Sequence, residues 1–272
     1  MAREYRRKIA ERNFQISAFC SSINFFFTPN FVFNGESHEM WEIVFVMNGK
    51  VEVSENENVY LLEKNNMIIH APWEFHRIRS AGGTSPKGFI MSFYADGELP
   101  EKLREGVFAL SVEQGIRHSE LCERIASFLS GANPSAYAGH EAADSLSSFL
   151  IQLSGETVQL ATDISPATAE YRKLALLMKN SICDNKSLSD FARECGISVS
   201  YIKQLFKEYA GIAPKAYYDK LRVRYAAEMI EKNIPISEIA EKMNFSSSNY
   251  FSTFFKKHTG QVPTKFVRRS EQ

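Results

Sequence analysis

The spacing of apolar residues changes once along the chain. Between about residues 14 and 95, short segments rich in Val, Ile, Phe and Tyr are separated by turn residues such as Asn48-Gly49, Asn65-Asn66 and Gly82-Gly83. Segments of this length and composition are typical of β-strands. The predicted strands include WEIVFVM, KVEVSE, VYLLE, MIIHA and GFIMSFY. Many short strands at this spacing predict an antiparallel sandwich or barrel.

After about residue 115 the apolar positions recur at helical spacing. We predict helices near 118–130 and 140–153, with the break GANPSAYAG between them. From residue 167 onward the whole chain is expected to be helical. The stretch 154–166 has no clear period, and we interpret it as a linker between a domain of residues 1–153 and a domain of residues 167–272.

The C-terminal half contains a degenerate repeat. LSDFARECGI (188–197) aligns with ISEIAEKMNF (236–245), and YIKQLFKEYAGIAP (201–214) aligns with YFSTFFKKHTGQVP (250–263). The alignment offset grows by one residue between the two pairs, so the second turn carries one extra residue. Each copy has the pattern of a helix-turn-helix unit. The intervening KAYYDKLRVRYAAEMI predicts one long linking helix, which would hold the two units roughly 34 Å, or one DNA turn, apart.

Capping and turn residues support this interpretation. Ser187 and Asp190 are spaced as a capping box for the first helix of the first unit. Gly196 can adopt the positive φ of a tight turn, and Ser198 can cap the second helix. In the second copy Asn244 stands where Gly is expected, and Asn tolerates the left-handed conformation better than most residues.

A helix-turn-helix places its second helix in the major groove, so the exposed face of that helix contacts base edges. Polar side chains there can recognise bases by hydrogen bonding. The predicted base-contacting residues are Val199, Ser200, Lys203, Gln204, Ser248, Asn249, Ser252 and Thr253. The predicted phosphate-contacting residues are Ser187, Lys207, Lys256, Lys257 and Arg268.

Composition and charge agree with a DNA-binding globular chain. Hydrophobic residues make up 44% and charged residues 24% of the 272 residues. The net charge of zero hides a division, because residues 1–165 hold 14 Lys and Arg against 21 Asp and Glu, whereas residues 166–272 hold 18 against 11. The basic half suits a polyanion.

The location of the protein is also predicted. No apolar run reaches the roughly 18 residues of a membrane helix, and the N-terminal MAREYRRKIAER is not a secretory signal. We therefore expect a cytoplasmic protein with no membrane partner. Its four cysteines, Cys20, Cys122, Cys183 and Cys195, are expected to be reduced thiols in the core.

Residues 167–269 resemble the AraC/XylS family of bacterial transcription regulators. The resemblance is most specific in NFSSSNYFSTFFKKHTGQVPTKFVRR, which has the family's Tyr-Phe, Phe-Lys-Lys and Gly-x-x-Pro pattern. The chain departs from that pattern at Asn244, at Val262 and at Thr253, where many members have Arg. The last change would weaken or alter base contact by the second unit. Arg222 matches a basic residue of the family's linking helix, with a role in either a DNA contact or a structural salt bridge.

The resemblance implies a two-domain α+β protein. Its N-terminal domain would be a cupin-like antiparallel β-barrel with flanking helices, and its C-terminal domain an all-α double helix-turn-helix. HEMWEIVFVMNG (38–49) resembles the first cupin motif and APWEFHRI (71–78) the second. The helices near 118–153 would form a homodimer interface or pack against the barrel.

The barrel is expected to bind a small polar effector, for which two Trp would suit stacking on a sugar ring. The candidate effector-binding residues are Phe33, His38, Trp41, Glu42, Trp73, Glu74, His76 and Arg77. His38, Glu42 and His76 stand where cupin enzymes hold a metal, but the first His of that motif is Glu36 here. These groups could bind iron or zinc, hydrogen-bond an effector, or be satisfied polar residues of a small barrel. We assign no metal or other cofactor.

Three functions remain open. The first is an effector-responsive regulator that binds promoter DNA, and since activation is the commoner outcome in the family, contacts RNA polymerase. The second is a cupin metalloenzyme with an appended interaction domain. The third is a DNA-binding regulator controlled by a protein partner. The sequence has no Ser-His-Asp, P-loop or Rossmann signature, which favours a protein that is not an enzyme.

Overall fold

The computed structural model describes residues 12–104, 106–132, 135–155, 158–159 and 166–266. Ten strands occupy the N-terminal part, all in antiparallel pairs. They are β1 (Phe14–Phe26), β2 (Val32–Glu36), β3 (Trp41–Asn48), β4 (Val51–Glu55), β5 (Asn58–Leu62), β6 (Asn66–His70), β7 (His76–Ser80), β8 (Lys87–Gly97), β9 (Val107–Ala109) and β10 (Val158–Gln159).

The strands form two sheets. One sheet has the order β1-β8-β3-β6-β9-β10, and the other has the order β2-β7-β4-β5. Asn56, Asn65 and Gly49 have positive φ and lie in turns between strands, as the composition of these turns predicts. The two-sheet N-terminal domain and the helical C-terminal region confirm the predicted α+β fold class.

The uninterrupted apolar run of β3 follows from burial on both faces. Ile43 and Phe45 pack against the helices that cover the first sheet. Val44 and Val46 face the second sheet. A strand that is covered on both sides has no polar face, so it lacks the alternation of a half-exposed strand.

The two sheets together are termed the barrel. The helices are α1 (Val112–Leu129), α2 (Ala138–Ser154), α3 (Pro166–Asn180), α4 (Leu188–Cys195), α5 (Val199–Leu205), α6 (Pro214–Glu231), α7 (Ile236–Lys242), α8 (Ser248–Thr259) and α9 (Pro263–Phe266), with a 3₁₀ turn at Glu101–Arg104 and a π-helical turn at Phe206–Ala210. Most of the helices come after β9 in the chain, and β10 lies between α2 and α3. Among these described helices, none is long and apolar enough to cross a membrane.

Two expectations about the first domain need correction. Helix α1 begins at Val112, earlier than predicted, because Ser111 and Gln114 form a capping box. Cys122 is buried, but Cys20 is exposed on β1, so the cysteines are not all core thiols. Within the expected linker, Val158 and Gln159 pair with β9, whereas residues 156–157 and 160–165 lie outside the described residues.

His118 is an unusual constituent of the core beneath α1. Its side chain is fully buried between the rings of Phe45 and Phe149, with ring centroids at 5.0 and 5.4 Å. Burial lowers the pKa of His118 from its ordinary value of 6.5 to about 3. The folded protein therefore holds this imidazole neutral at pH values where the unfolded chain protonates it.

This difference predicts an acid-sensitive barrel. As the pH falls below 6.5, the unfolded state gains a proton that the folded state does not, so stability is lost until the pH reaches about 3. Lowering the pH from about 7 to about 4 should reduce the melting temperature of both the parent and His118→Leu. We expect the decrease to be smaller in His118→Leu, by at least about 2 °C. The exposed His140 provides the control, because His140→Gln should keep the parental slope. If the melting temperature depends on pH in the same way for all three proteins, His118 is not the source of the acid sensitivity.

Candidate nucleic-acid interface and barrel pocket

The first helix-turn-helix unit is built by its capping residues. Ser187 Oγ accepts a hydrogen bond from the backbone N–H of Asp190, and the Asp190 carboxylate accepts one from the N–H of Ser187 at 2.9 Å. Gly196 ends α4 with φ 68°, and Ser198 caps α5 by accepting from the N–H of Tyr201. The predicted capping box, turn glycine and second cap are confirmed.

The second unit has the same plan with a longer turn. Asn244 has φ 55°, which confirms that it replaces the turn glycine. Ser247 caps α8 by accepting a hydrogen bond from the N–H of Tyr250 at 3.1 Å. Ser198 lies two positions after Gly196, whereas Ser247 lies three positions after Asn244, so the extra residue predicted from the repeat is present. Sequence analysis missed Ser247, which the Ser-rich run 246–248 hides.

Helix α6 belongs to the cores of both units. Its N-terminal half contributes Tyr217 and Tyr218 to the core around α3, α4 and α5. Its C-terminal half contributes Ala226 and Ile230 to the core of α7 and α8. With 18 residues, α6 is about 27 Å long, so it acts as a spacer between the units.

The structure leaves most of the predicted DNA-contacting residues on the surface. Ser200, Lys203 and Gln204 are exposed on α5, whereas Val199 is half-buried against the first core. On α8, Asn249 and Thr253 are exposed and Ser248 and Ser252 are half-buried. The exposed phosphate candidates are Ser187, Lys207, Lys256 and Lys257, and Arg268 lies outside the described residues.

The face of α8 has fewer free donors than its composition suggests. The hydroxyl of Thr253 donates to the backbone carbonyl of Asn249 at 3.0 Å. This hydrogen bond to the preceding turn turns the hydroxyl proton toward its own helix. The two units are therefore chemically unequal, and α5, with Lys203 and Gln204 exposed, has the longer polar side chains.

Arg222 does not lie on the DNA-binding surface. It is 1% exposed, and its guanidinium donates to the carbonyl of Ile182 at 3.0 Å, to Asn185 Oδ1 at 2.6 Å and to the carbonyl of Met243 at 2.7 Å. The ring of Phe245 stacks 4.4 Å away. Neither expected role is observed, because all three acceptors are uncharged protein oxygens. Arg222 joins the loop before the first unit to the turn of the second.

Replacing Arg222 should therefore destabilise the chain. Arg222→Lys keeps the charge but cannot reach three divergent acceptors, so buried carbonyls lose their donors. We expect a loss of about 2–4 kcal/mol in the free energy of unfolding, measured by chemical denaturation. Arg193→Lys, at an exposed position of α4, should change stability by less than about 0.5 kcal/mol. Equal stability of the two variants would overturn this role for Arg222.

A cavity of about 410 Å³, partly open to solvent, lies in the N-terminal domain. Five of the eight predicted effector-binding residues line it, namely Phe33, His38, Glu42, His76 and Arg77. Sequence analysis missed the wall contributed by β1, β8 and the β1–β2 connection. Those residues are Cys20, Ser21, Ile23, Phe27, Phe31, Ile90 and Ser92. Ser21 and Ile23 are two residues apart on one strand, as are Ile90 and Ser92 on another. Alternate residues of a strand face the same side, so this spacing could have indicated that each pair shares a face.

The other three candidates lie elsewhere. Trp41 is buried in the core beneath the helices, with the Arg104 guanidinium 5.0 Å from its ring. Trp73 contacts the C-terminal domain, with its ring centroid 6.3 Å from that of Phe266. Glu74 is buried, and its carboxylate accepts from the N–H of Ala71 at 2.7 Å. Stacking of a sugar ring between the two Trp is therefore wrong, since neither side chain lines the cavity.

The polar end of the cavity concentrates imidazoles and carboxylates. Glu42 lies 3.5 Å from Nε2 of His38 and 3.2 Å from Nε2 of His76. Burial would raise the pKa of Glu42, but the two facing histidines outweigh burial and lower it. Burial would likewise lower the pKa of His76, but Glu42 raises it. Both shifts favour an ionised Glu42 beside a protonated His76.

A second histidine–carboxyl pair lies behind the first. His70 Nδ1 and Glu55 Oε1 are 2.8 Å apart, and the His70 ring stacks on that of His76 at 4.3 Å. Burial raises the pKa of Glu55 to about 7 and lowers that of His70 to about 3. Burial therefore disfavours the charged form of both groups, and the short hydrogen bond between them favours a structural role for the pair.

Strand β7 contacts both the cavity and the C-terminal domain. His76 and Ile78 line the cavity. The preceding Phe75 packs into the core of the first helix-turn-helix unit, with its ring 6.3 Å from that of Tyr217. Arg77 donates to the backbone carbonyl of Glu208 in the π-helical turn, and Arg79 donates to the Glu208 carboxylate at 2.6 Å. One strand thus joins the pocket to the first unit.

The β4–β5 turn extends this interface. The hydroxyl of Tyr171 on α3 donates to the carbonyl of Asn56 at 2.7 Å, and Lys179 forms an ion pair with Glu57 at 2.6 Å. Gly211 lies so close to the barrel that an added Cβ would come within 2.7 Å of the carbonyl of Asn34. Sequence analysis missed this contact between the domains, because local patterns carry no record of it.

Comparison with known proteins gives one family match and several relatives. Residues 191–269 match the family described as "Helix-turn-helix domain". The chain is 31% identical over 94 residues to the HTH-type transcriptional regulator ExsA of Pseudomonas aeruginosa, covering 34% of each protein. It is 24% identical over 265 residues to the HTH-type transcriptional activator RhaR of Salmonella dublin, covering 90% of each. Among solved structures, ToxT from Vibrio cholerae aligns with 96% of this chain and 99% of its own, at 14% identity and a TM-score of 0.37.

Proposed function

We propose that this chain, whose C-terminal domain is a helix-turn-helix domain of the AraC type, is a sequence-specific transcription regulator controlled by a small molecule in its barrel. The proposal rests on one observation. Two complete helix-turn-helix units, each with its recognition helix exposed, are held apart by the shared helix α6. This arrangement suits two contacts in the major groove on one side of a DNA duplex.

The two recognition helices would have different roles. Lys203 and Gln204 on α5 can form hydrogen bonds with the edges of guanine and adenine, which gives sequence preference. Lys256 and Lys257 in the last turn of α8 would contact phosphates, which gives affinity without sequence preference. Ser187 and Lys207 would add phosphate contacts beside the first unit.

DNA binding by the full chain tests the proposal. Selection from a random duplex pool should yield a preferred sequence, and its affinity should fall as the salt concentration rises. Lys203→Ala should change the preferred bases, at a cost of about 1–3 kcal/mol on the parental site. Lys257→Ala should weaken binding to all sequences about equally. It should also reduce by about one the slope of the logarithm of affinity against the logarithm of salt concentration. Salt-independent binding, or no enrichment of any sequence, would refute the proposed function.

The barrel cavity supports control by an effector. It is partly open to solvent, is lined by both polar and apolar side chains, and has the size of a small-molecule site. An effector at the polar end would touch His76, whose neighbours Phe75 and Arg77 hold the first helix-turn-helix unit. A shift of β7 would therefore change the position of that unit, which gives the effector a physical route to DNA binding.

We also propose that the protein is an activator, which acts through RNA polymerase. Two relatives carry that description, namely the HTH-type transcriptional activator RhaR and the virulence regulon transcriptional activator VirF of Yersinia enterocolitica. The VirF match covers 35% of that protein, and the RhaR match covers 90%.

Helices α1 and α2 offer a surface for a homodimer. Their inner faces pack on the first sheet through Leu121 and Leu146, yet Leu129 and Ile151 leave apolar side chains in solvent. Exposed apolar residues on adjacent helices suit association of two copies. Both of the predicted roles of these helices, packing and dimerisation, are then compatible.

Dimerisation predicts a concentration-dependent mass in sedimentation equilibrium. Ile151→Glu, which places a charge on an exposed position of α2, should shift the protein toward monomer by at least about tenfold in the dissociation constant. Leu61→Glu, at an exposed position of β5 on the other sheet, should leave the equilibrium unchanged. A monomeric parent, or equal behaviour of both variants, would remove α2 from the interface.

A further inference from the structure

We infer that the polar end of the barrel cavity binds one divalent transition-metal ion through Glu36, His38, Glu42 and His76. The inference deepens the proposed function, on which it rests for the role of the barrel as the effector site. It is carried by the arrangement of hydrogen-bond donors and acceptors around Glu42.

The four side chains converge although they come from different parts of the barrel. Glu36 ends β2, His38 lies in the following turn, Glu42 is on β3 and His76 begins β7. One potential ligand atom from each lies within 4.8 Å of every other. Ligand atoms about 2.1 Å from a common ion lie within about 4.2 Å of one another, so small side-chain rotations complete the site.

Backbone carbonyls determine which nitrogen of each histidine faces the cluster. Nδ1 of His38 lies 3.1 Å from the carbonyl of Met40, and Nδ1 of His76 lies 3.0 Å from the carbonyl of Glu74. A carbonyl oxygen only accepts, so each Nδ1 carries a hydrogen. In a neutral ring the lone pair is then on Nε2, the atom that faces Glu42.

When both imidazoles are neutral, the cluster therefore brings acceptors together without a donor. The Nε2 atoms of His38 and His76 are buried, and neither has a hydrogen-bond partner. His76 is 4% exposed and aims its unpartnered nitrogen at a carboxylate that is also an acceptor. A buried polar group without a partner is costly, so this geometry persists only if something positive lies between the groups.

A metal ion meets this requirement more completely than a proton does. One proton on Nε2 of His76 would serve the contact with Glu42 but leave Nε2 of His38 unpartnered. One cation accepts lone pairs from both imidazoles and both carboxylates together. The backbone carbonyls bonded to Nδ1 also match the outer partners that orient metal-binding histidines in general.

The donor types indicate the class of ion. Two imidazole nitrogens and two carboxylate oxygens suit zinc, iron, cobalt or nickel, whereas calcium and magnesium prefer oxygen donors only. The lining of the cavity also includes the apolar side chains of Ile23, Phe31 and Ile90. His76 directly precedes Arg77, so a bound ion lies one residue from the contact with Glu208.

Metal titration of the full chain tests the site. Protein treated with a chelator is titrated with Zn²⁺ by calorimetry, and with Co²⁺ by visible absorption, which reports the ligand geometry. We expect one ion per chain. Glu36→Gln and His38→Gln should each weaken the Zn²⁺ affinity by at least about tenfold. Glu36 is exposed, so its replacement should not prevent folding, and the melting temperature of the metal-free variants checks this.

Two controls separate this site from other ligands. His140→Gln removes an exposed histidine on α2, and Cys20→Ser removes a thiol that also lines the cavity. Both variants should bind Zn²⁺ as the parent does. Absence of stoichiometric binding by the parent would overturn the inference, as would unchanged affinity in Glu36→Gln and His38→Gln.

The DNA-binding assay keeps the two proposals distinct. A parent protein that selects a DNA sequence but binds no ion retains the proposed function and refutes the metal site. A parent that binds one ion through these residues but selects no DNA supports the metal site and refutes the regulator. If both hold, the affinity for the selected DNA should change by at least about fivefold when Zn²⁺ is removed, and Glu36→Gln should abolish that difference.

Discussion

The buried guanidinium of Arg222 is the interaction on which the C-terminal domain depends. It donates hydrogen bonds to the carbonyl of Ile182 and the side chain of Asn185, in the loop before the first unit, and to the carbonyl of Met243, in the turn of the second. Its planar group has donors in several directions, which suits three divergent acceptors better than an ammonium would. Because Arg222 lies in the middle of α6, it fixes the two recognition helices to one spacer. Spacing and orientation are what a pair of major-groove contacts needs.

The barrel is attached to this framework by more than the chain connection. His76, Arg77 and Ile78 of β7 line the cavity, and Arg77 and Arg79 also donate hydrogen bonds to Glu208. The side chains of one short strand therefore belong both to the cavity and to the interface between domains.

Local signals were sufficient for the double helix-turn-helix and insufficient for the pocket. Ser187, Gly196, Ser198 and Asn244 act through neighbours only a few residues away, so their spacing alone predicts caps and turns. The pocket depends on strands that are distant in sequence and adjacent in space. His38, Glu42, His76 and Arg77 lie within the two cupin motifs, but so do Trp41 and Trp73. The two Trp were misplaced because an aromatic ring suits a core, an interface or a ligand equally well.

By itself, the sequence determined the fold class, the duplicated unit and the exposed face of each recognition helix, because helical periodicity and capping are short-range properties. Only the tertiary structure decided that Arg222 is buried and that Phe75 belongs to the core of the other domain. It alone also decided that Ser21 of β1 and Ser92 of β8 line the cavity. These outcomes depend on which strands pair and which surfaces meet, and such long-range contacts leave no periodic trace in a single chain.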